Sequence, residues 1–120
     1  MIAALANGGK ILENDKYINA AENAADFILN NLKDDNGRLF KRYRKGSSGL
    51  QPHIDDYAFF IWGLLNLYEA GFKVNYLESA VEIAELMVSD FIDEENGGFF
   101  IGPENGEKLI VRAKDSYDGA

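Results

Sequence analysis

Two short clusters hold the side chains of this 120-residue chain that are best able to do chemistry. The first is His53, Asp55, Asp56 and Tyr57, with Arg42 a little upstream. The second is Arg112, Lys114, Asp115 and Asp118, about 60 residues further on. Paired carboxylates can serve as general acid and base on glycosidic bonds and sugar carbonyls, provided their surroundings split their pKa values. Asp56 and Asp55 are therefore the candidate catalytic residues. Arg42 and Arg112 carry the forked donors that grip a carboxylate or phosphate. His53, Tyr57 and Asp118 complete the candidate substrate-binding set. The same residue types also have a plainer use. An aspartate at a helix start accepts from free backbone N–H groups and faces the positive end of the helix dipole. Capping outweighs chemistry for Asp55 and balances it for Asp56, which a single cap does not need. His53 follows Pro52 in a loop, where a lone histidine is more often a surface group. Arg42 and Arg112 can equally pair with nearby acids.

Composition argues against several other chemistries. There is no cysteine, hence no disulfide, thiol nucleophile or thiolate metal site. His53 is the only histidine, so neither a metal site nor a cofactor is expected. The formal charge of −8 repels phosphate backbones and anionic bilayers, so no nucleic acid and no membrane is expected as partner. The run Lys41-Arg42-Tyr43-Arg44-Lys45 is basic but local, and reads as a solvated strand face rather than a binding patch. Asp34-Asp35-Asn36-Gly37 and Asp93-Glu94-Glu95-Asn96-Gly97-Gly98 miss the ligand spacing of a calcium loop and read as turns. No stretch reaches the ~20 apolar residues of a membrane helix. The apolar start, Met1 to Ala6, lacks the charge and length of a signal peptide. With 47% hydrophobic residues the chain can build a core. A soluble, cytoplasmic protein is expected.

A repeat positions the candidate residues. Tyr17, Ala21, Ala25 and Asp34 recur as Tyr76, Ala80, Ala84 and Asp93. One extra residue later, Asn36, Gly37 and Phe40 recur as Asn96, Gly97 and Phe100, and Asp55 and Tyr57 as Asp115 and Tyr117. Such a period points to stacked supersecondary units. Each unit reads as an outer helix, a glycine turn, a short extended stretch and an inner helix. Repeat 1 spans about 1–56 and repeat 2 about 57–118 of a single domain. Leu77, Ala80, Val81, Ala84, Met87, Val88 and Phe91 form the apolar stripe of one outer helix, with Asn75 and Glu78 as its capping box. Tyr17, Ala21, Ala24, Phe27, Ile28 and Leu32 form the other. The helix from Asp55 to Ala70 is apolar all round between Tyr57 and Leu65, so it needs cover on every side, and Gly71 reads as its C-terminal stop. Leu39 to Arg44 alternates like a strand, and Gly98–Gly102 with Lys108–Arg112 reads as a small hairpin around Pro103-Glu104-Asn105-Gly106. The fold class is all-α: tandem helical hairpins, about four helices, with short β-hairpin excursions. An uncapped start and an end just where another inner helix should begin imply a fragment of a larger array. Its bare apolar helix faces imply a homo-oligomer.

Several residue runs carry a family resemblance. They are Leu39 to Arg44, Asp55-Asp56-Tyr57-Ala58, Trp62-Gly63-Leu64-Leu65, Leu67-Tyr68-Glu69-Ala70 and Gly97-Gly98-Phe99-Phe100. Arg112-Ala113-Lys114-Asp115 and Asp118-Gly119-Ala120 complete the set. In this order they resemble the spermatogenesis-associated, thioredoxin-domain-containing proteins, over nearly the whole chain. The resemblance implies a partial (α/α)6 toroid, similar to six-hairpin glycosidases and N-acylglucosamine 2-epimerases. About two hairpins would be present here, without the thioredoxin-like domain, so no redox role carries over. In such a toroid the inner-helix starts ring a funnel, and Asp55, Asp56 and the second cluster would face a sugar-like molecule there. The expected function is a sector of a carbohydrate-binding or carbohydrate-active protein, epimerase- or glycosidase-like when intact and not catalytic alone. The alternative is a non-catalytic helical scaffold for protein–protein contact or self-association.

Overall fold

Residues 1–106 and 111–114 are described in this computed structural model. They form α1 (Ile2–Ile11), α2 (Asp15–Asn31), β1 (Arg42–Arg44), β2 (Ser47–Gly49), α3 (Ile54–Gly71) and α4 (Val74–Phe91). The expected all-α class with a β excursion is what the chain adopts. Asn14 starts α2 in extended backbone, its side-chain oxygen accepting from Lys16 N at 3.1 Å. The two short strands pair antiparallel, Tyr43 opposite Ser48, across Lys45 and Gly46. Both residues at that tip have positive φ, the requirement of a type I′ hairpin turn.

Helix α3 is the centre, packed on α1, α2 and α4. A Cβ on Gly63 would lie 3.2 Å from Ile2, so α1 and α3 approach closely where the side chain is missing. Asn7 Nδ2 donates to Asn66 Oδ1 at 2.6 Å further along the same pair. Contact positions rise together on both helices, so α1 and α3 run in the same direction. The outer pair does likewise: Lys73 meets Glu22 at 2.7 Å, and Tyr76 O–H donates to Asp26 at 3.1 Å. Burial and the Asp26 carboxylate both push the Tyr76 phenol above its ordinary pKa. Between the helices lie Ala6, Ala21, Ala25, Leu39, Tyr57, Phe60, Leu64, Leu67, Ala80, Ile83 and Phe91, all buried.

The turns after α2 and α4 match bond for bond. Phe40 N donates to Leu32 O, and Phe100 N to Phe91 O, each at 2.8 Å. Gly37 N returns to Asp34 O, and Gly97 N to Asp93 O. Isolated bridges join Lys33 to Leu39 and Ile92 to Phe99. Gly37 and Gly97 both have positive φ, which explains glycine at those places.

Four local expectations need correction. Helix α4 begins at Val74 after Lys73, with no side-chain cap, so Asn75 sits in the first turn rather than before it. Its buried line is Tyr76, Ala80, Ile83 and Phe91, while Val81 and Val88 are exposed. The apolar band was wider than the face it had to fill, and the Tyr76–Asp26 bond fixes which edge turns inward. On α2 the core side is Ala21 and Ala25, with Tyr17 and Phe27 exposed. Small residues let α2 sit close, so the larger ones fall at the margin. Gly71 is the last residue of α3, and Phe72 takes the left-handed position, with its N–H on Tyr68 O. Tyr68 and Phe72 meet edge to face at 5.8 Å, which offsets part of that strain. Lastly, the expected hairpin of Gly98–Gly102 is seen only in part: Phe99 bridges Ile92, Ile101 N donates to Ala113 O at 2.9 Å, and most of the partner arm lies outside the described residues. Phe59, Trp62 and Leu65 stay exposed on one side of α3. No helix among the described residues is long and apolar enough to cross a membrane.

Asp93 anchors the second turn. Its carboxylate meets the Lys114 ammonium and accepts from the backbone N–H groups of Glu95 and Asn96, both at 3.0 Å. Lys114 first, then those donors, holds the Asp93 carboxyl well below its ordinary pKa. A carboxyl depressed in the folded state stabilises the fold above its unfolded pKa near 3.8, and that contribution fades as pH falls toward the folded value. Asp93→Asn should therefore lower stability at neutral pH and flatten its acid-side slope, with wild type and variant converging near the acid limit. Urea melts at several pH values test this, and a stability gap independent of pH would count against it.

Candidate functional site

The extended stretch between α2 and α3 must cross the end of the bundle, and a cleft of about 970 Å³ opens there. Its walls come from the first turn (Asp34, Arg38, Leu39, Phe40), the two feet of the hairpin (Lys41, Leu50) and the start of α3 (His53, Tyr57). Asp90 and the Gly102–Gly106 turn close the far side.

An ion pair holds these walls together. Arg38 donates Nε to Asp90 Oδ2 at 2.6 Å and Nη2 to Asp90 Oδ1 at 2.9 Å, a two-point fork. Asp90 is only 3% exposed. Its carboxylate raises the Arg38 pKa still further, through the hydrogen bond first and charge second. Asp34 fixes the turn behind Arg38, its Oδ1 accepting from Asn36 N at 2.9 Å and Arg38 N at 2.8 Å. Next in sequence, Leu39 enters the core and its N–H donates to the Tyr57 hydroxyl at 3.1 Å. The Tyr57 ring meets Phe91 edge to face at 5.3 Å. Burial pushes the Tyr57 phenol above its usual pKa, against the pull of the Leu39 N–H.

Only part of the anticipated set lines this cleft. Tyr57 forms its floor and His53 its rim. His53 Nδ1 lies 3.3 Å from Lys41 Nζ. An ammonium can only donate, so Nδ1 is the acceptor and the ring proton belongs on Nε2. Asp56 faces its own helix: its Oδ2 accepts from His53 N at 2.8 Å, the return bond of a capping box. Asp55 is exposed in the same first turn, outside the cleft. Arg42 is exposed on β1. Arg112 supports the cleft from behind, its Nη2 donating to Asp90 O and Gly102 O at 3.0 Å each. Its guanidinium lies 4.1 Å over the Phe100 ring, and its buried Nε has no hydrogen-bond partner among the described residues. Asp118, like Asp115 and Tyr117, lies outside the described residues.

The sequence reading missed Arg38, Asp90, Asp34 and Lys41. One signal was present for Asp90. It falls seven residues after Ile83, on the line that turns inward, and an acid on a buried line requires a cation. Arg38 carried no comparable mark, because it follows a turn and has no periodic context.

The chain has relatives among known proteins. It is 35% identical over 130 aligned positions to spermatogenesis-associated protein 20 of Homo sapiens, and 33% identical to that of Rattus norvegicus. It is also 35% identical over 127 positions to an uncharacterised protein of Caenorhabditis elegans. These alignments cover 99–100% of this chain but 16–17% of the relatives, so the chain spans about one sixth of their length. No family model matches it.

Removing Arg38, itself a third exposed, leaves the buried Asp90 carboxylate without its partner, a loss of about 1–3 kcal/mol. Arg38→Ala should lower unfolding free energy by about that amount, while Arg38→Met with Asp90→Leu should lose less than the single change. Chemical denaturation of both variants tests this; a double variant worse than Arg38→Ala would show that the pair is not the determinant.

Proposed function

We propose that this chain, similar over its whole length to about one sixth of spermatogenesis-associated protein 20, builds two hairpins of an (α/α)6 toroid whose funnel binds a sugar-like molecule. The observation that carries this is the cleft at the start of inner helix α3. There, Lys41, Gln51, His53 and Asn105 stand beside the half-buried Phe40 ring, above the buried Tyr57. Polar groups that fix hydroxyls next to a ring that covers a C–H face suit a polyhydroxylated ligand. Binding rather than catalysis fits the carboxylates here. Asp90 is held by Arg38, Asp34 by two backbone N–H groups, and Asp56 by the His53 N–H. Acid–base chemistry in the whole protein would then draw on groups beyond this cleft, in an epimerase- or glycosidase-like setting.

Titration of the chain with simple mono- and disaccharides, followed by amide chemical shifts, should perturb resonances of the Phe40–His53 stretch. Lys41→Ala or His53→Ala should weaken such binding about fivefold to tenfold each, the worth of one hydrogen bond. Shifts that are absent, or scattered over the surface, would remove this reading.

A second reading rests on a different observation. Phe59, Trp62 and Leu65 are 68, 57 and 38% exposed on one side of α3. Three large apolar side chains at that spacing form a stripe that water does not favour. The chain would then act as a helical scaffold that self-associates through this face. Light scattering over a dilution series should give a dimer or larger species, and Trp62→Glu should shift it toward monomer. A monodisperse monomer at all concentrations would rule the scaffold out.

A further inference from the structure

The hairpin β1–β2 concentrates positive charge in a chain of net charge −8. Arg42, Arg44 and Lys45 are exposed, and none forms an ion pair among the described residues although the chain has 20 acidic side chains. The ion pairs present there use other cations: Arg38 with Asp90, Lys73 with Glu22, and Lys114 with Asp93. The hairpin is also held in place. Tyr43 meets Phe27 of α2 edge to face at 5.1 Å, and Ser48 Oγ donates to Asn31 O. Alternate strand residues point to opposite faces. With Tyr43 turned onto α2, Arg42 and Arg44 share the outward face. Lys45 completes the tip at φ 52°, a left-handed position that lysine fills only at a cost.

We propose that this outward face of the hairpin docks an acidic polypeptide segment in extended conformation. Arg42 and Arg44 stand two residues apart on one strand, a spacing of roughly 6.4–6.8 Å. An extended partner with acids at alternate positions repeats its carboxylates at the same interval. Each guanidinium can then take one carboxylate through its fork. The charge balance selects the occupant. A nucleic-acid duplex carries one charge per ~1.7 Å and would extend over the acidic remainder of the molecule. A short acidic segment touches the basic face alone. Because the strand is already ordered by Tyr43 and Ser48, little backbone freedom is lost on docking. This surface is distinct from the cleft and does not depend on what the cleft binds.

The test uses the whole chain and a fluorescent peptide alternating Glu with Thr, read by polarisation at low salt. Binding should occur and weaken steeply as salt is added. The double change R42S and R44S should weaken it about tenfold, the sum of two exposed charge pairs. Lys10→Ser with Lys16→Ser, an equal loss of charge on α1 and α2, should leave it nearly unchanged. Circular dichroism confirms that both variants remain folded. No binding at low salt overturns the proposal, as does equal loss in the control variant. So does displacement of the peptide by an oligonucleotide or a sulfated polysaccharide more readily than by unlabelled peptide.

Discussion

The fork between Arg38 and Asp90 is the contact on which the arrangement of this chain depends. A carboxylate that is 3% exposed is costly to leave unpaired, so the helix that carries it requires the arginine. That requirement draws the turn after α2 across to the far end of α4, fifty-two residues away. Once Arg38 is in place, Leu39 follows into the core and its N–H meets the Tyr57 hydroxyl. The carbonyl of Asp90 is used as well, accepting from Glu104 N at 2.8 Å and from Arg112. One residue thus ties together the end of α4, the turn of the first unit and the turn that follows α4. The cleft is the space these ties leave open.

This explains which parts of the structure were legible in the sequence. Helix existence was, because α2, α3 and α4 carry long apolar patterns that only a helix satisfies. The likeness of the two turns was legible too, since Asp34 and Asp93 each accept from the N–H two residues on and Gly37 and Gly97 share a positive φ. The facing of α4 was not. Its apolar residues span more than one face, and burial of Tyr76 over Val81 depends on Asp26, which lies on another helix. The candidate site was half legible for the same reason. His53 and Tyr57 reach the cleft because they stand at the start of α3. The role of Asp56 is local and its capping geometry can be read within four residues. Arg38 and Asp90 meet only in three dimensions, so neither could be paired from spacing.

The polar and apolar surfaces are separated along α3. Its start opens into the cleft, beside charged and aromatic groups from three loops. Its middle carries Phe59 and Trp62 outward, more than half of each exposed. Its opposite side is core, built on Phe60, Leu64 and Leu67. One helix therefore meets three environments, and its all-round apolar sequence records two of them. The third, at the N-terminal turn, is written in His53, Asp55 and Asp56.

The close approach at Gly63 has a geometric consequence. The pairs α1–α2 and α3–α4 are related by a same-direction offset, so their contact joins two different surfaces instead of matching one surface with itself. A stack built this way turns by a fixed increment at each step, and the increment follows from how near neighbouring inner helices lie. At the α1–α3 step that distance is set by a residue with no side chain against Ile2. A bulkier residue there would act as a wedge and alter the curvature of any longer assembly containing these two units, while leaving the folding of each hairpin largely intact. In such an assembly, curvature would rest on one glycine as much as on the helices it separates.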